Sequence, residues 1–387
     1  MWSHLLMSAH RSIFDEDHLL FQETVRRFIA SEVAPNFDRW EEDGIVPRSF
    51  WQAAGRTGLL CPQVPEEYGG SGVGFIYHAI VNEEFTRAGF IGPQNNLSVH
   101  SDVCMGYLLH FGNEEQKRKW LPGMVSGETV CAIAMTEPGT GSDLQGVRTK
   151  AVREGDEYVV NGSKTFISNG QHADLVIVVA RTSDAPGSKG MSLILVEADR
   201  EGFQRGRNLD KLGHKSADTS EMFFDSVRVP AGNLLGAEGG GFAALMTELP
   251  QERLTIAVAC MGAAQRAFDI TCDYVRERKA FGKQIMEFQN TRFKLADIKA
   301  DLSVGWAFVD QCLAQHEAGK LTPANASIAK LWSSEMQGRV VDQCLQFFGG
   351  YGFMREYEIS RLFADARVLR IYGGTSEIMR ELISRSL

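Results

Sequence analysis

The chain has 387 residues, 44% of them hydrophobic and 23% charged, with a formal net charge of −9. This is ordinary globular composition, and the length gives a prior of about two or three domains with ample apolar side chains for a large core. The acidic balance excludes the broad basic surface of a nucleic-acid binder, so an anionic ligand has to be met by local groups such as helix N-termini and single Arg or Lys residues.

The opening Met1-Trp2-Ser3-His4-Leu5-Leu6 lacks the charged region and long apolar core of a secretory signal and the Arg-rich pattern of a transit peptide. No apolar run reaches the roughly eighteen residues of a membrane span, so a cytoplasmic protein with no integral membrane segment is expected. Residues 1–128 read as an α-helical domain: Phe21, Val25, Phe28 and Ile29 keep a helical period, as do Ile80, Glu84 and their neighbours. Pro62-Gln63-Val64-Pro65 and Gly69-Gly70-Ser71-Gly72 interrupt it. Over residues 129–237 the period drops to two. Glu157-Tyr158-Val159-Val160, Lys164-Thr165-Phe166-Ile167, Leu175 to Val179, Met191 to Val196 and Glu221 to Phe224 are short β-branched or aromatic runs, which predicts a compact domain of antiparallel strands. Asn161-Gly162 between the first two runs is a type I′ hairpin signal. Helical periodicity returns over 238–387, with long segments around 242–278, 288–317 and 323–347, so the class is α+β. The seven cysteines are scattered with no C-x-x-C pair, as expected of free thiols in a reducing compartment.

One acidic residue stands on an otherwise apolar helical stripe: Leu245, Leu249, Glu252, Ile256, Cys260, Ala263 and Ala267. Either Glu252 turns outward at a kink imposed by Pro250, or it pairs with a nearby Arg, or it is a desolvated carboxylate able to act as a base near neutral pH. Met135-Thr136-Glu137-Pro138-Gly139-Thr140-Gly141-Ser142-Asp143 offers glycines and hydroxyls suited to a phosphate or a polar ring edge, although Pro-Gly-x-Gly also marks plain turns. It is not a Rossmann fingerprint, because no helix and acidic ribose partner follow at the required spacing. The basic cluster at Arg276-Glu277-Arg278-Lys279 fits a helix C-terminus, Gly349-Gly350 fits a C-cap, and Thr375 fits the N-cap of the last helix.

Together, Ala134 to Asp143, Phe166-Ile167-Ser168-Asn169-Gly170, Arg278-Lys279-Ala280-Phe281-Gly282-Lys283 and Tyr372-Gly373-Gly374-Thr375-Ser376-Glu377-Ile378 resemble the acyl-CoA dehydrogenase family of flavoproteins, over nearly the whole chain. The resemblance implies a helical N-terminal domain, a β-barrel-like middle domain, a C-terminal helical bundle, and FAD in the cleft between the last two. It sets Thr136 beside the isoalloxazine, Ser142 near the pyrophosphate and substrate entrance, and Phe166 and Ser168 at the other side of the ring, with Ile133, Met135, Gly141 and Ile167 completing that group. Arg278, Phe281, Gln289, Gln346, Gly349 and Gly350 would approach the adenine end of a neighbouring subunit's FAD, and Thr375 and Glu377 their own. It further implies a homo-oligomer, a homotetramer built as a dimer of dimers, an acyl-CoA substrate, an electron-transferring flavoprotein as acceptor, and no metal.

The sequence departs from many family members at Gly373, where they carry the catalytic glutamate. The long-chain and isovaleryl-type members carry it instead in a segment like Leu249-Pro250-Gln251-Glu252-Arg253-Leu254. The resemblance therefore implies α,β-dehydrogenation of an acyl-CoA to the trans-2-enoyl-CoA. In it Glu252 removes the α proton, a hydride leaves for flavin N5, and the Gly373 N–H supports the enolate oxygen. Ser142, Pro250, Arg253, Gly373 and Gly374 are the expected substrate contacts, with Pro250 and Gly373 making room for long or branched acyl groups and Arg253 meeting CoA, orienting Glu252 or forming a bundle salt bridge. The competing readings are an acyl-CoA oxidase or flavin monooxygenase on the same fold, and a helical binding protein that has lost catalysis.

Overall fold

A computed structural model describes residues 11–387; the opening residues 1–6, read above for targeting signals, lie outside the described residues. Among the described residues, the first part of the chain forms seven α-helices: α1 (Glu16–Phe28), α2 (Phe37–Asp43), α3 (Arg48–Arg56), α4 (Ile76–Arg87), α5 (Ile91–Ser98), α6 (Met105–Phe111) and α7 (Glu114–Ser126). A π-helical turn, Val99–Cys104, joins α5 to α6. Asn113 caps α7 in a reciprocal box with Gln116, and Gly127 in the left-handed region (φ 76°) ends it.

Eight strands follow: β1 (Cys131–Ala134), β2 (Lys150–Glu154), β3 (Glu157–Ser168), β4 (Leu175–Arg181), β5 (Met191–Glu197), β6 (Phe203–Asn208), β7 (Thr219–Pro230) and β8 (Leu234–Leu235). The expected antiparallel, barrel-like domain is corrected on two points. The sheet is open, in the order β6-β7-β3-β2-β4-β5-β8, with its two ends not paired to each other. It is also mixed, since β1 lies parallel to β4 from Cys131–Leu175 to Ala134–Val178, and β2 meets β4 in parallel at Lys150–Arg181. The β2–β3 hairpin lies within the long connection that a parallel return requires. Closure is unnecessary because both faces of β4 and β5 are already covered. Leu175, Ile177, Val179, Leu193 and Leu195 join the core of the N-terminal helices, while Val176, Val178, Ala180, Ile194 and Val196 join a core made by the sheet itself. Burial on both sides explains why Leu175 to Val179 is continuously apolar rather than alternating.

The Asn161-Gly162 hairpin is a second correction. Both residues lie inside β3, at a register shift against β7. The hairpin turn falls at Gly155 (φ 64°), between the paired Glu154 and Glu157. Asn161 spends its side chain accepting from the Ser226 amide at 2.8 Å, and a Cβ on Gly162 would meet Thr149 Oγ1 at 2.4 Å. The pair therefore serves a bulge and a close approach, not a reversal.

The C-terminal part is a bundle of three long helices, α8 (Gly241–Glu277), α9 (Gln289–Glu317) and α10 (Pro323–Phe348), with two short ones, α11 (Glu358–Ala366) and α12 (Ser376–Ser384). Thr322 caps α10 with Pro323 at its first turn, and Thr375 caps α12 by accepting from the Ile378 amide. Helix α8 is the centre of the molecule. Its stripe from Leu245 to Ala267 is buried throughout, but so is every residue from 251 to 264. It packs on α4 at one side and on α9 and α10 at the other. No helix among the described residues is long and apolar enough to cross a membrane, and all seven cysteines are buried and free.

Candidate active site

Glu252 faces inward on α8 and is 8% exposed. Its carboxylate accepts a hydrogen bond from the hydroxyl of Tyr107 on α6 at 2.8 Å. Burial pushes this carboxyl from the ordinary 4.5 up to about 7, the Tyr107 hydrogen bond opposes the rise, the nearby Glu248 charge adds to it, and Arg253 pulls it back. Glu252 is thus close to half ionised at neutral pH, as a general base requires. One turn earlier, Glu248 meets His110 Nδ1 at 2.7 Å, and this bond raises the His110 pKa. Gln251 donates to the Asp102 carbonyl at 2.8 Å, tying α8 to the π-helical turn. Neither outward turning nor pairing with an arginine describes Glu252, since its partner is a tyrosine. Pro250 does not end α8; the carbonyl its missing amide leaves without an intrahelical donor belongs to Met246, an exposed residue.

Arg253 is 5% exposed, and its Nε has no hydrogen-bond partner among the described residues. An unpaired guanidinium nitrogen buried beside a carboxylate is costly unless a ligand group completes it. One turn along α8 from Glu252, Ile256 meets the turn before α12. Gly373 (φ 65°) and Gly374 (φ 95°) are both left-handed, and a Cβ on Gly373 would come within 2.3 Å of Ile256 Cδ1. Ile256 lies one turn along α8 from Glu252, so the volume a side chain at 373 would claim is already filled by that methyl group. The carbonyl of Gly374 accepts from Lys330 Nζ at 2.6 Å.

The Gly-rich segment after β1 is built around a buried ion pair. Glu137 accepts from the Arg148 and Thr149 amides at 2.7 and 2.9 Å and from Lys164 Nζ at 2.9 Å; Lys164 also donates to the Met135 and Val179 carbonyls at 3.0 and 2.7 Å. Burial acts to raise Glu137, but the Thr149 hydrogen bond and the Lys164 charge outweigh it and hold the carboxyl low; burial brings Lys164 down to about 8. This pair staples the turn to β3 and β4, and the Thr165 amide bonds the Thr136 carbonyl at 2.9 Å. Met135, Thr136, Phe166 and Ser168 therefore come together. Phe166 is 67% exposed at φ 59°, while Ile133 and Ser168 are half-buried and Ile167 turns into the sheet core. Gly139 and Gly141 have nothing within 4 Å of an added Cβ, and Ser142 is exposed. An exposed aromatic ring in a left-handed conformation beside an open glycine turn fits a planar, phosphate-bearing cofactor.

Arg278, Phe281, Gln289, Gln346, Gly349 and Gly350 all lie exposed on the bundle. Arg278 stacks over Tyr351 at 5.7 Å, and Phe281 is 96% exposed. Thr375 is committed to capping α12, and Glu377 is exposed beside Arg380. Two surface depressions on the N-terminal helices, around Phe28 and Arg56 and around Arg39 and Pro47, include none of these residues. Tyr107, Glu248, His110, Glu137, Lys164 and Lys330 received no role from the sequence.

Family models for the acyl-CoA dehydrogenase N-terminal domain, middle domain and C-terminal domain match residues 15–128, 132–227 and 239–387. The chain belongs to the acyl-CoA dehydrogenase family. It is 48% identical over 379 residues to the long-chain specific acyl-CoA dehydrogenase of Rattus norvegicus (97% of this chain, 88% of the relative), a protein named as mitochondrial. Against the isovaleryl-CoA dehydrogenase of Oryza sativa subsp. japonica, also named as mitochondrial, identity is 37% over 386 residues (99% and 94%). Among solved structures, an acyl-CoA dehydrogenase from Geobacillus kaustophilus superposes with a TM-score of 0.95 at 46% identity, covering 96% of this chain and 98% of that one. A chain in the structure of the electron transferring flavoprotein of Acidaminococcus fermentans superposes at 0.93 and 33% identity (96% and 98%). An acyl-CoA dehydrogenase complexed with FAD from Bacillus anthracis does so at 0.91 and 34% (96% and 67%). The family consists of FAD-dependent oxidoreductases that dehydrogenate acyl-CoA thioesters.

Proposed function

We propose that this chain dehydrogenates a long-chain or branched acyl-CoA at its α,β bond, with Glu252 as the base. The observation that carries this reading is a buried carboxylate at about 7, held by Tyr107, on the helix face next to the Gly373 turn. Glu252 takes the proton from the α carbon. That proton is weakly acidic even beside a thioester, so the developing negative charge on the carbonyl oxygen needs a donor fixed in advance. The Gly373 N–H supplies it: loss of a side chain at 373 removes a carboxylate but keeps the amide. Arg253, with its buried Nε free, contacts the substrate or completes the pocket wall beside Glu252.

FAD is the cofactor, held by Ile133, Met135, Thr136, Gly141, Ser142, Phe166, Ile167 and Ser168 on one side and by Thr375 and Glu377 on the other; when bound, it takes up the two electrons that leave with the β hydrogen. Ile167 contributes only through its backbone. The exposed set Arg278, Phe281, Gln289, Gln346, Gly349 and Gly350 reaches the cofactor of a second copy of the chain, which implies a homo-oligomer, with a dimer of dimers as its form. An electron-transferring flavoprotein is the acceptor. The relatives with long-chain and isovaleryl specificity support the substrate class, and the domains run over residues 1–128, 129–237 and 238–387. An anaerobic titration of the purified flavoprotein with butyryl-, isovaleryl- and long-chain acyl-CoAs, following loss of flavin colour, tests the proposal. Bleaching by long or branched substrates is expected, and a sharp preference for butyryl-CoA rejects the substrate assignment.

A further inference from the structure

Beneath the Gly373–Gly374 turn lies a cation for which the reaction above has no use. Lys330 is 0% exposed on α10, the single charged member of a buried stripe of Ala326, Lys330, Ser333, Gln337, Val340 and Cys344. Its Nζ donates to the Gly374 carbonyl. The nearby carboxylates it feels, Glu335 and Glu377, are weaker influences than burial, Cys260 and Arg253. A buried ammonium without a close counter-ion is expensive, and a methionine of similar length would fill the same space without that cost.

What the lysine holds is a segment with unusual freedom. Two successive glycines leave the turn few restraints of its own. On one side it rests on Ile256 of α8. On the other, α10 grips its flanks: Glu335 accepts from Ser376 Oγ at 2.7 Å and faces Arg370 at 3.6 Å, and the Arg370 guanidinium lies across Gly338. These contacts fix residues 370 and 376. Between them, beside the packing of Ile256 on Gly373, Lys330 gives the diglycine its side-chain hydrogen bond, at the Gly374 carbonyl. A donor to a developing oxyanion works only where its direction is set beforehand, and a misplacement on the order of 1 Å can cost about 100-fold in rate.

We propose that Lys330 is a positioning residue for the dehydrogenation: by clamping the Gly374 carbonyl to α10 it aims the Gly373 N–H at the thioester oxygen as that oxygen gains charge. This rests on the role given to Gly373 under the proposed function. The test uses holoenzyme carrying Lys330→Met or Lys330→Gln, the second keeping a donor but no charge. Two ligands of matched chain length are compared: the trans-2-enoyl-CoA, a neutral product, and a 3-oxoacyl-CoA, whose acidic α carbon lets it bind as an enolate.

Lys330→Met is expected to lower kcat by roughly 10- to 100-fold with KM changed less than about two-fold. It should weaken 3-oxoacyl-CoA binding by a similar factor, leave enoyl-CoA affinity and flavin content as in the wild type, and place Lys330→Gln between the two. Wild-type kcat and 3-oxoacyl-CoA affinity in either variant overturn the proposal. So does an equal weakening of both ligands with loss of flavin, which marks a merely structural lysine. If Lys330→Met does not fold, Lys330→Gln decides by the same criteria. A wild type inert toward every acyl-CoA overturns instead the reading of the site on which this inference rests.

Discussion

Replacing Glu252 by glutamine separates the charge of the base from the shape of its site. Tyr107 continues to donate to the side-chain oxygen at position 252, so the local packing is kept. In the wild type the unfolded glutamate titrates near 4.5 and the folded one near 7. Between these values the folded state binds more protons, so this residue makes folding less favourable as pH rises, with no cost below 4.5 and the full cost above 7. The interval of about 2.5 units corresponds to roughly 3 kcal/mol at pH 8. Glutamine carries no charge in either state and escapes this cost, although its amide N–H2 gives back on the order of 1 kcal/mol if one donor stays unsatisfied. The Glu252→Gln protein is therefore expected to be about 2 kcal/mol more stable than the wild type at pH 8 and nearly equal to it at pH 5. Over the same comparison its flavin bleaching should slow by roughly 10²–10⁴-fold, the usual cost of deleting a positioned base. Urea unfolding at the two pH values and anaerobic rapid mixing with acyl-CoA measure the two effects. A stability gain of the same size at both pH values, or bleaching at the wild-type rate, refutes the assignment of a desolvated base at this position.

Tyr107→Phe removes the hydrogen bond that favours the ionised form of Glu252, so the midpoint of the kcat–pH profile should rise by about one unit, with kcat at pH 7 falling by up to about ten-fold; an unmoved midpoint shows that the phenol does not act on the base. Glu137→Gln strands the Lys164 ammonium, whose side chain is 0% exposed. Breaking a buried pair in this way costs on the order of 3–5 kcal/mol and should free the turn that carries Thr136 and Ser142. Reduced stability and a lower flavin-to-protein absorbance ratio are expected, and a fully flavinated, equally stable variant argues against the staple.

The long helices of the bundle were readable because their signals are local: apolar spacing in α8, α9 and α10, Thr322 and Pro323 at the start of α10, and Gly349 at its end. The stripe that singles out Glu252 is buried as its period implies. The same reasoning applied to α10 isolates Lys330, a lone charge among uncharged buried residues at steps of four and three. Tyr107 left no trace of that kind. It reaches Glu252 from 145 positions away, and nothing in Met105-Gly106-Tyr107-Leu108 marks the ring as a donor to a carboxylate. Asn161-Gly162 carries a turn signal but makes a bulge, because turn chemistry is local while bulge placement depends on β7, about sixty residues further along. Whether a sheet closes depends on where its edges meet, which no single strand encodes.

The contact between Gly373 and Ile256 ties the two positions together in any evolutionary exchange of the base. A carboxylate introduced at 373 has to push aside the isoleucine methyl that now occupies its place and adopt a backbone conformation favouring glycine; trimming Ile256 alone leaves a void in the wall of the pocket. Moving the acid from helix to loop therefore asks for a smaller side chain at 256 and a different backbone at 373 together, not for one exchange.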